Sequence, residues 1–302
     1  MTLPHDELWP RAGSWPAPKP GEKADAVLLG VPTWRTSISV TGAHETPAAI
    51  RDALPRYSAA LMGPPALDPN DALRIIDAGD VHEPDGHEGT ERAVQRVREL
   101  SEDARLVIAL GGDNSLTYPV ARGAGADGLI TIDAHFDLRD GVSNGSPVRR
   151  LVQDAPDGQR IDPKRIVQIG IADFANSLAY AQRAADWGIR VITLDEVRRR
   201  GIPDVVAEAL EIAGAGSRIH LDIDVDAADR AAVPGCPASV PGGLAAWELR
   251  ALVRALAADA RIVSADLAEV DATADAEDGR TVRLAALCVL ELLAGLAARG
   301  GG

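Results

Sequence analysis

The stretch LITIDAHFDLRD, residues 129–140, begins as a buried strand and ends in charged residues. Its first half is apolar and β-branched, and Asp133, His135 and Asp137 then follow at every second position. Side chains alternate between the two faces of a strand, so these three groups point to one side if the extended conformation persists. An apolar strand that ends in two carboxylates and an imidazole on one face indicates a functional site.

Short apolar runs alternate with longer helical segments along the 302 residues. Strands are predicted at 26–32, 73–79, 104–112, 128–135, 165–171, 190–197, 218–225 and 261–270. Helices are predicted at 46–62, 89–103, 202–215 and 245–260, among others. Nearly continuous apolar strands are typical of a sheet that is covered on both faces. The alternation predicts a three-layer α/β sandwich around a parallel sheet of about eight strands.

Composition and charge restrict the partners and the compartment. The net charge of -14 and the pI of about 4.9 argue against nucleic acid or an anionic membrane as a partner. The two cysteines do not have the spacing of a metal-binding cluster. The N-terminal residues do not have the pattern of a signal peptide, and the apolar run 284–298 is too short to span a bilayer. We therefore expect a cytoplasmic protein with a single domain over residues 1–302, in which residues 1–24 form an irregular, Pro-rich arm.

Polar motifs follow the predicted strands where ligands bind in open α/β sheets, beyond the carboxyl ends. GGDNS (111–115), DAHFD (133–137), DID (222–224) and AEVD (268–271) each close a predicted strand. No GxGxxG, Walker A or GxSxG sequence is present, which argues against dinucleotide binding, phosphate-loop chemistry and a serine hydrolase.

The acidic residues in two of these motifs indicate metal binding. Asp222 and Asp224 repeat the every-second-position spacing of Asp133, His135 and Asp137, so four carboxylates and His135 would meet at the edge of the sheet. Burying these charges uncompensated would cost several kcal/mol, and no run of Lys or Arg accompanies them. Two divalent cations would balance four carboxylates, and oxygen-rich ligation with one imidazole favours Mn²⁺ over a thiolate-type zinc site.

The motifs GGDNS, DAHFD and DIDVDAADRAAVPGCPASVPGG (222–243) resemble the signature regions of the ureohydrolase superfamily, which includes arginase, agmatinase and formimidoylglutamase. The resemblance extends from about residue 26 to the C-terminal helix. It implies an arginase-like fold, a homo-oligomer such as a trimer or hexamer, and a binuclear manganese centre whose hydroxide cleaves a C–N bond in a guanidine or amidine.

The same resemblance implies residue roles. Asp133 and Asp222 would bridge the two metals, Asp137 would bind the first metal, and His135 and Asp224 would bind the second. Asp137 would also pass on a proton during catalysis. Glu269 would hold the amidinium group of the substrate, although a salt bridge at the end of the strand is the alternative.

Two positions depart from the family pattern. Asn114 occupies the place of a metal-binding His, so the first metal is expected to bind weakly, or one metal to be present; the alternative is that Asn114 caps the following helix. The loop 138–152 lacks the expected catalytic His and instead carries Arg139 and Arg149. These would clamp carboxylates of an anionic substrate, or would be surface residues or partners of Asp140. Further substrate hydrogen bonds are expected from Ser143, Asn144 and Ser146.

The loop sequence resembles most closely the formimidoylglutamase branch of the superfamily. That resemblance implies hydrolysis of N-formimidoyl-L-glutamate to L-glutamate and formamide, a step of histidine catabolism. A guanidino-acid hydrolase of the agmatinase or guanidinobutyrase type, which would release urea, is the first alternative. A non-catalytic member with a weakened metal site is the second, because of Asn114 and the missing loop His.

Overall fold

The computed structural model describes residues 6–19, 21–63, 66–216 and 218–299, and in this part of the chain the strands form one sheet of eight. The strands β1 to β8 are Ala24–Val31, Ile75–Asp80, Ala104–Gly111, Gly128–Ile132, Ile166–Ile171, Arg190–Thr193, Ile219–Asp224 and Ile262–Ala268. Their order is β2-β1-β3-β8-β7-β4-β5-β6, and all neighbouring pairs are parallel. The predicted parallel sheet is confirmed.

Helices cover both faces of this sheet. The helices α1 to α10 are Thr46–Ala53, Pro69–Ala72, Gly86–Asp103, Thr117–Gly123, Pro147–Gln153, Leu178–Trp187, Leu194–Arg200, Ile202–Ala213, Ala246–Ala257 and Arg280–Ala298. Apolar side chains of α1, α8, α9 and α10 form the core on one face, whereas α3, α4, α5 and α6 pack on the other face. The predicted three-layer arrangement is therefore confirmed.

Several predicted elements end earlier than expected, and two of them show the local cause. The segment 46–62 was predicted as one helix, but α1 ends at Ala53, because the ring of Pro55 removes a backbone donor and the chain turns there. The segment 190–197 was predicted as a strand, but β6 ends at Thr193. The hydroxyl of Thr193 accepts a hydrogen bond from the backbone N–H of Glu196 (3.2 Å) and so begins α7.

The two ends of the chain pack on the body. Residues 6–19 and 21–23 contain no helix or strand, and the indole nitrogen of Trp15 donates to Oδ1 of Asn70 (3.0 Å); residues 1–5 and 20 of the predicted arm lie outside the described residues. Helix α10 is long and apolar enough to cross a membrane, but 78% of its apolar window is buried inside the protein. The expectation that the apolar run is too short to span a bilayer is therefore wrong on length, because the helix extends over 19 residues from Arg280 to Ala298.

The sheet order brings the polar motifs together. Strands β3, β8, β7 and β4 are consecutive neighbours in the middle of the sheet, and because they are parallel their carboxyl ends lie at one edge. The four segments that follow these strands therefore meet at that edge.

Candidate metal centre

Neighbouring strands align their polar side chains in rows across the sheet. Thr131 on β4 is paired with Asp222 on β7, and Asp222 is paired with Asp266 on β8. Asp133 and Asp224 each follow two residues later on the first two strands, so they share the next row toward the carboxyl edge. Asp222 therefore lies one row, about 6.6 Å along the strand direction, below the level of Asp133.

A cluster of potential metal ligands lies above that row. Ligand atoms of Asp133, His135 and Asp226 lie within 4.8 Å of one another. Nδ1 of His135 is 2.7 Å from Oδ2 of Asp226 and 3.6 Å from Oδ1 of Asp133. Oδ2 of Asp133 is buried without a hydrogen-bond partner in the described part of the chain. A buried carboxylate oxygen without a donor, beside an imidazole and a second carboxylate, fits a cation.

Backbone hydrogen bonds hold the second acidic segment in place. Asp224 ends β7, and its Oδ1 accepts the backbone N–H of Asp226 (2.8 Å), which turns the chain so that Asp226 faces the cluster. Oδ1 of Asp226 accepts the backbone N–H of Ala134 (3.0 Å) and thereby ties this turn to the segment after β4. Asp226 was not among the ligands predicted from the sequence.

The predicted bridging role of Asp222 is wrong. Its side chain is fully buried one row deeper than Asp133, and it is not among the clustered ligand atoms of the described residues. The motif D-x-D-x-D at 222–226 can be aligned in two ways, and the prediction used Asp222 and Asp224, whereas the structure places Asp226 in the cluster with Asp133 and His135. The alternation continuing to Asp226 was the signal that could have identified it.

On the other side of the cluster, Asp137 lies beside Asn114. Asp137 has φ +52°, so the strand conformation assumed for the alternation does not persist to this residue. Its Oδ2 accepts a hydrogen bond from Nδ2 of Asn114 (2.6 Å), and Oδ1 of Asn114 accepts one from the hydroxyl of Thr117 (2.7 Å). Because a hydroxyl can donate or accept, a rotated amide would keep the Thr117 bond and direct its oxygen toward a metal.

Helix capping, the alternative role considered for Asn114, is performed by Asp113. The side chain of Asp113 accepts the backbone N–H of Ser115 (3.2 Å) and is the N-cap of the turn that precedes α4. Asn114 is therefore free of that task, and its side chain is buried at the candidate site.

Burial dominates the electrostatics of the cluster. Burial and neighbouring negative charges raise the pKa of Asp133 to about 7 and raise the pKa values of Asp137 and Asp224 well above the ordinary range. Burial lowers the pKa of His135, but the carboxylates of Asp226 and Asp133 outweigh it and raise that pKa to about 12. These carboxyl groups cannot all be ionised without added positive charge, which a pair of divalent cations would supply.

A cavity of about 270 Å³ opens above these groups. Its lining includes Asp137, Asp224 and Asp226, together with the predicted residues Arg139, Asn144 and Glu269. Further lining residues are Ile38, Ser39, Ser177 and Tyr180. They were not predicted, because they lie on loops and at the start of a helix and belong to no motif.

Glu269 is the carboxylate at the far wall. It follows β8 with φ +62°, and its Oε1 accepts hydrogen bonds from Nδ2 of Asn144 (2.9 Å) and from the backbone N–H of Asn114 (2.8 Å). Burial and the charge of Asp113 raise its pKa to about 8. No ion pair of Glu269 occurs in the described residues, so the alternative salt-bridge role has no support there.

The predicted substrate-binding role of Arg149 is wrong. Its guanidinium is buried and forms two hydrogen bonds with Asp154 (2.9 and 2.8 Å), one with the carbonyl of Arg139 (2.8 Å) and one with that of Gly141 (2.6 Å). All of these bonds shape the loop after β4. The Arg–carboxylate pair is therefore structural.

The three polar residues Ser143, Asn144 and Ser146 also form hydrogen bonds that stabilise the loop after β4. The hydroxyl of Ser146 is buried, donates to the carbonyl of Ser143 (2.8 Å) and accepts its N–H (2.9 Å). The amide of Asn144 is occupied by Glu269 and by the backbone N–H of Ile38 (3.0 Å). Neither Ser143 nor Ser146 lines the cavity, so their predicted contacts with substrate are not supported.

Arg139 differs from Arg149. It is exposed at the cavity, and no ion pair or side-chain hydrogen bond of its guanidinium occurs within the described residues. Asp140, the alternative partner, instead pairs with Arg183 (2.8 Å). Arg139 is therefore available to a ligand.

Comparison with known proteins agrees with this fold and site. The family model described as the arginase family matches residues 24–295. A formimidoylglutamase of Halobacterium salinarum is 36% identical over 294 residues, 93% of this chain and 90% of the relative. The crystal structure of formimidoylglutamase from Bacillus subtilis superimposes with a TM-score of 0.88 at 30% identity, over 98% of this chain and 94% of that one. A formiminoglutamase of Trypanosoma cruzi solved with Mn²⁺ gives a TM-score of 0.81 at 26% identity, over 92% and 95% of the two chains.

The fold and the acidic edge of the sheet are those of a hydrolase of the arginase family, and the chain belongs to that family. Within it, the relatives reported above all carry the name formimidoylglutamase or its variant formiminoglutamase. The resemblance inferred from the three sequence motifs is confirmed.

Proposed function

We propose that this protein hydrolyses N-formimidoyl-L-glutamate to L-glutamate and formamide with two bound Mn²⁺ ions. The observation that carries the proposal is the cluster of Asp133, His135 and Asp226 on the floor of a cavity that Arg139 and Glu269 also line. Four buried carboxylates lie near the imidazole of His135, and they belong to Asp133, Asp137, Asp224 and Asp226. Arg139 is the basic residue of the cavity lining in the described part of the chain. The four carboxylates and the imidazole fit hard divalent ions.

The rows of the sheet suggest how the ligands divide. Asp133 and Asp224, at one level, would be shared by both ions. His135 and Asp226 would complete one site, and Asp137 with the rotated amide of Asn114 would complete the other. Bound divalent ions supply a water of lowered pKa and offset the carboxylate charge. Because an amide oxygen is a weaker ligand than imidazole, the site that includes Asn114 should lose its ion first.

Asp137 is the candidate for proton transfer. Its Oδ2 is occupied by Asn114, whereas its Oδ1 accepts no hydrogen bond from the described residues. In the overall reaction water adds to the formimidoyl carbon, the bond from that carbon to the glutamate nitrogen breaks, and the nitrogen takes up a proton. Oδ1 of Asp137 would receive a proton from the water and deliver it to that nitrogen.

Glu269 and Arg139 would hold the two ends of the substrate. The ionised carboxylate of Glu269 would pair with the amidinium, and the positive charge of that group would favour ionisation of a carboxyl whose pKa is otherwise raised to about 8. Arg139 would pair with a carboxylate of the glutamate part, for which its planar guanidinium is suited. A substrate with a cation at one end and carboxylates at the other matches this polarity.

Reconstitution with Mn²⁺ followed by a substrate panel tests the proposal. N-formimidoyl-L-glutamate, 4-guanidinobutyrate and agmatine would each be assayed for formamide, urea and ammonia. Formamide from the first substrate alone supports the proposal. Urea from a guanidino acid would instead establish the guanidino-acid hydrolase, and no turnover of any amidine at saturating Mn²⁺ would favour a non-catalytic member.

The remaining expectations from the sequence are part of the same proposal. They are a single domain over residues 1–302, a cytoplasmic location, a place in histidine catabolism and a homo-oligomer. The match of the arginase family model to residues 24–295 supports one domain after the N-terminal arm. Sedimentation of the purified chain would measure its oligomeric state.

A further inference from the structure

Asn144 connects three separate segments at the cavity. It lies between β4 and α5, and its backbone N–H donates to the carbonyl of Thr36 (3.3 Å). Its side-chain Oδ1 accepts the backbone N–H of Ile38 (3.0 Å), and its Nδ2 donates to Oε1 of Glu269 (2.9 Å). Both ends of the amide are therefore bonded to protein, so Asn144 acts through its neighbours and does not itself bind a substrate.

The segment held by Asn144 is the loop from Pro32 to Gly42, which joins β1 to the turn before α1. Ile38 is 57% exposed and Val40 is fully exposed, yet Ile38 lines the cavity. A Cβ atom at Gly145 would lie 2.8 Å from Cδ of Arg139 and 3.2 Å from Cδ1 of Ile38, so these two side chains meet over that glycine. The position of the loop thus also sets the space around Arg139.

Other anchors hold the loop only at its ends. Oδ1 of Asp85 accepts the backbone N–H groups of Trp34 (3.2 Å) and Arg35 (3.0 Å), and Oδ2 of Asp271 accepts that of Gly42 (2.8 Å). Between these ends, the bonds from Thr36 and Ile38 to other segments, as far as the structure describes them, go to Asn144. Exposed apolar side chains contribute little to holding a loop in place, so the middle depends on these hydrogen bonds.

Glu269 depends on the same amide. Oε1 has two donors, Nδ2 of Asn144 and the backbone N–H of Asn114, and its backbone has the left-handed φ of +62° that few L-residues adopt. Loss of one donor leaves this buried carboxylate with half of its fixed hydrogen bonds. The orientation of the Glu269 carboxylate would then depend on the strained backbone of that residue and on the neighbouring charges.

We propose that Asn144 is a positioning residue that couples the loop from Pro32 to Gly42 to the carboxylate of Glu269, so that the position of the loop and the capture of the amidinium depend on the same side chain. The inference rests on the proposed role of Glu269 in binding an amidinium. According to this proposal, the side chain of Asn144 holds the loop that forms one wall of the pocket. The same side chain orients Glu269, which lies opposite the metal ligands. A purely structural anchor would hold the loop without affecting Glu269.

Three variants of the Mn²⁺-loaded protein separate these two roles. Asn144→Ala removes both side-chain bonds. Asn144→Asp keeps an acceptor for the N–H of Ile38 but replaces the donor to Glu269 with a second carboxyl. Asp85→Ala is the matched control, because it loosens the same loop at Trp34 and Arg35 and contacts neither Asn144 nor Glu269 in the described structure.

Two readouts follow the two roles. Trypsin cleavage after the exposed Arg35, identified by mass spectrometry, reports the holding of the loop. The kcat and KM for N-formimidoyl-L-glutamate report the positioning of Glu269. Asn144→Ala should raise the cleavage rate about tenfold and lower kcat/KM by about tenfold or more, chiefly through KM. The Asn144→Asp variant should be cleaved by trypsin at nearly the wild-type rate, but its kcat/KM should still be lower than that of the wild type. The Asp85→Ala variant should be cleaved by trypsin faster than the wild type, while its kcat/KM stays within about threefold of the wild-type value.

Equal changes in both readouts for Asn144→Ala and Asp85→Ala would reduce Asn144 to a loop anchor, and unchanged kcat/KM in Asn144→Asp would overturn the coupling. An inactive wild-type protein would instead count against the proposed function. In that case acetamidine, used as an amidinium probe, should slow cleavage after Arg35 in the wild type but not in Asn144→Asp. Absence of that protection in the wild type would overturn the coupling as well. Circular dichroism confirms folding, and Asn144→Ser replaces any variant that fails to fold.

Discussion

Nδ1 of His135 lies 2.7 Å from Oδ2 of Asp226, and this contact fixes which acidic residues of β7 reach the cluster. Asp226 lies beyond the end of β7 and therefore above the last row of backbone hydrogen bonds of that strand. Asp222, by contrast, is enclosed within the sheet. The difference between these two aspartates leads to the first prediction.

Asp226→Asn and Asp222→Asn should differ in metal content. Asp226→Asn removes a charged ligand, so we expect loss of about one Mn²⁺ per chain and a fall in kcat/KM of about 100-fold or more. Asp222→Asn should retain both ions, because that side chain lies below the ligands. Elemental analysis after gel filtration measures the content, and equal metal loss in the two variants would contradict the assignment.

Arg149→Ala and Arg139→Ala should separate stability from substrate binding. Arg149 has a buried guanidinium with four hydrogen bonds, so its loss should lower the free energy of unfolding by about 2–4 kcal/mol. Arg139 is exposed, so its loss should leave the melting temperature within about 2 °C and raise KM for N-formimidoyl-L-glutamate about tenfold. Thermal melts and steady-state kinetics on both variants test this contrast. A large loss of stability in Arg139→Ala would show that its guanidinium is structural.

Glu269→Gln should impair turnover without loss of metal. The substitution keeps the shape of the side chain but removes the negative charge proposed to hold the amidinium. We expect kcat/KM to fall about 100-fold, since a hydrogen bond to a charged group is worth about 1.5–3 kcal/mol. Elemental analysis of the same preparation should show an unchanged Mn²⁺ content. A variant that turned over at the wild-type rate would exclude Glu269 from substrate binding.

Stability of the metal-free protein should depend on pH. The pKa of Asp133 is raised from 3.8 to about 7 in the folded protein, so the folded state binds that proton more tightly than the unfolded state does. Its contribution to stability is complete below about pH 4 and is lost as the pH rises to about 7. The pKa of Glu269, raised from 4.5 to about 8, acts in the same direction.

We therefore expect the melting temperature in EDTA to fall between about pH 5 and about pH 8. With saturating Mn²⁺ the decline should disappear, because bound cations favour the ionised carboxylates at the higher pH. Differential scanning fluorimetry in matched buffers measures both curves. A melting temperature in EDTA that rises over this range would contradict the prediction.

Asn114→His should strengthen retention of one metal ion. Imidazole is a better ligand than an amide oxygen, so dialysis should leave closer to two Mn²⁺ per chain in the variant than in the wild type. Elemental analysis after dialysis against a weak chelator measures the difference. Two ions held equally tightly by the wild type would refute the idea of a labile first site.

Periodicity predicted the sheet well because eight strands covered on both faces require nearly continuous apolar runs. Its errors fell where a single local contact decides the conformation. Leu194 and Val197 continue the apolar positions after Thr193, but one hydroxyl begins a helix there. Pro55 ended a helix whose apolar spacing continues beyond it.

The site was harder to predict because composition does not specify the row in which a side chain lies. The alternation of Asp222, Asp224 and Asp226 is compatible with two alignments, and the pairing of Thr131 with Asp222 is needed to choose between them. Similarly, Arg139 and Arg149 both follow β4, the first in a loop and the second in α5, but their roles depend on which of them pairs with Asp154. Such pairings are tertiary facts without a local signature.

The positive φ of Asp137 and of Glu269 places an L-residue in a conformation that costs about 1 kcal/mol or more at each position. Glycine would relieve that strain and remove a carboxyl group in the same step. Directed evolution for heat resistance alone would therefore tend to remove the two side chains that we propose for proton transfer and amidinium binding, and thermostabilised libraries of this enzyme should be screened with a catalytic counter-selection.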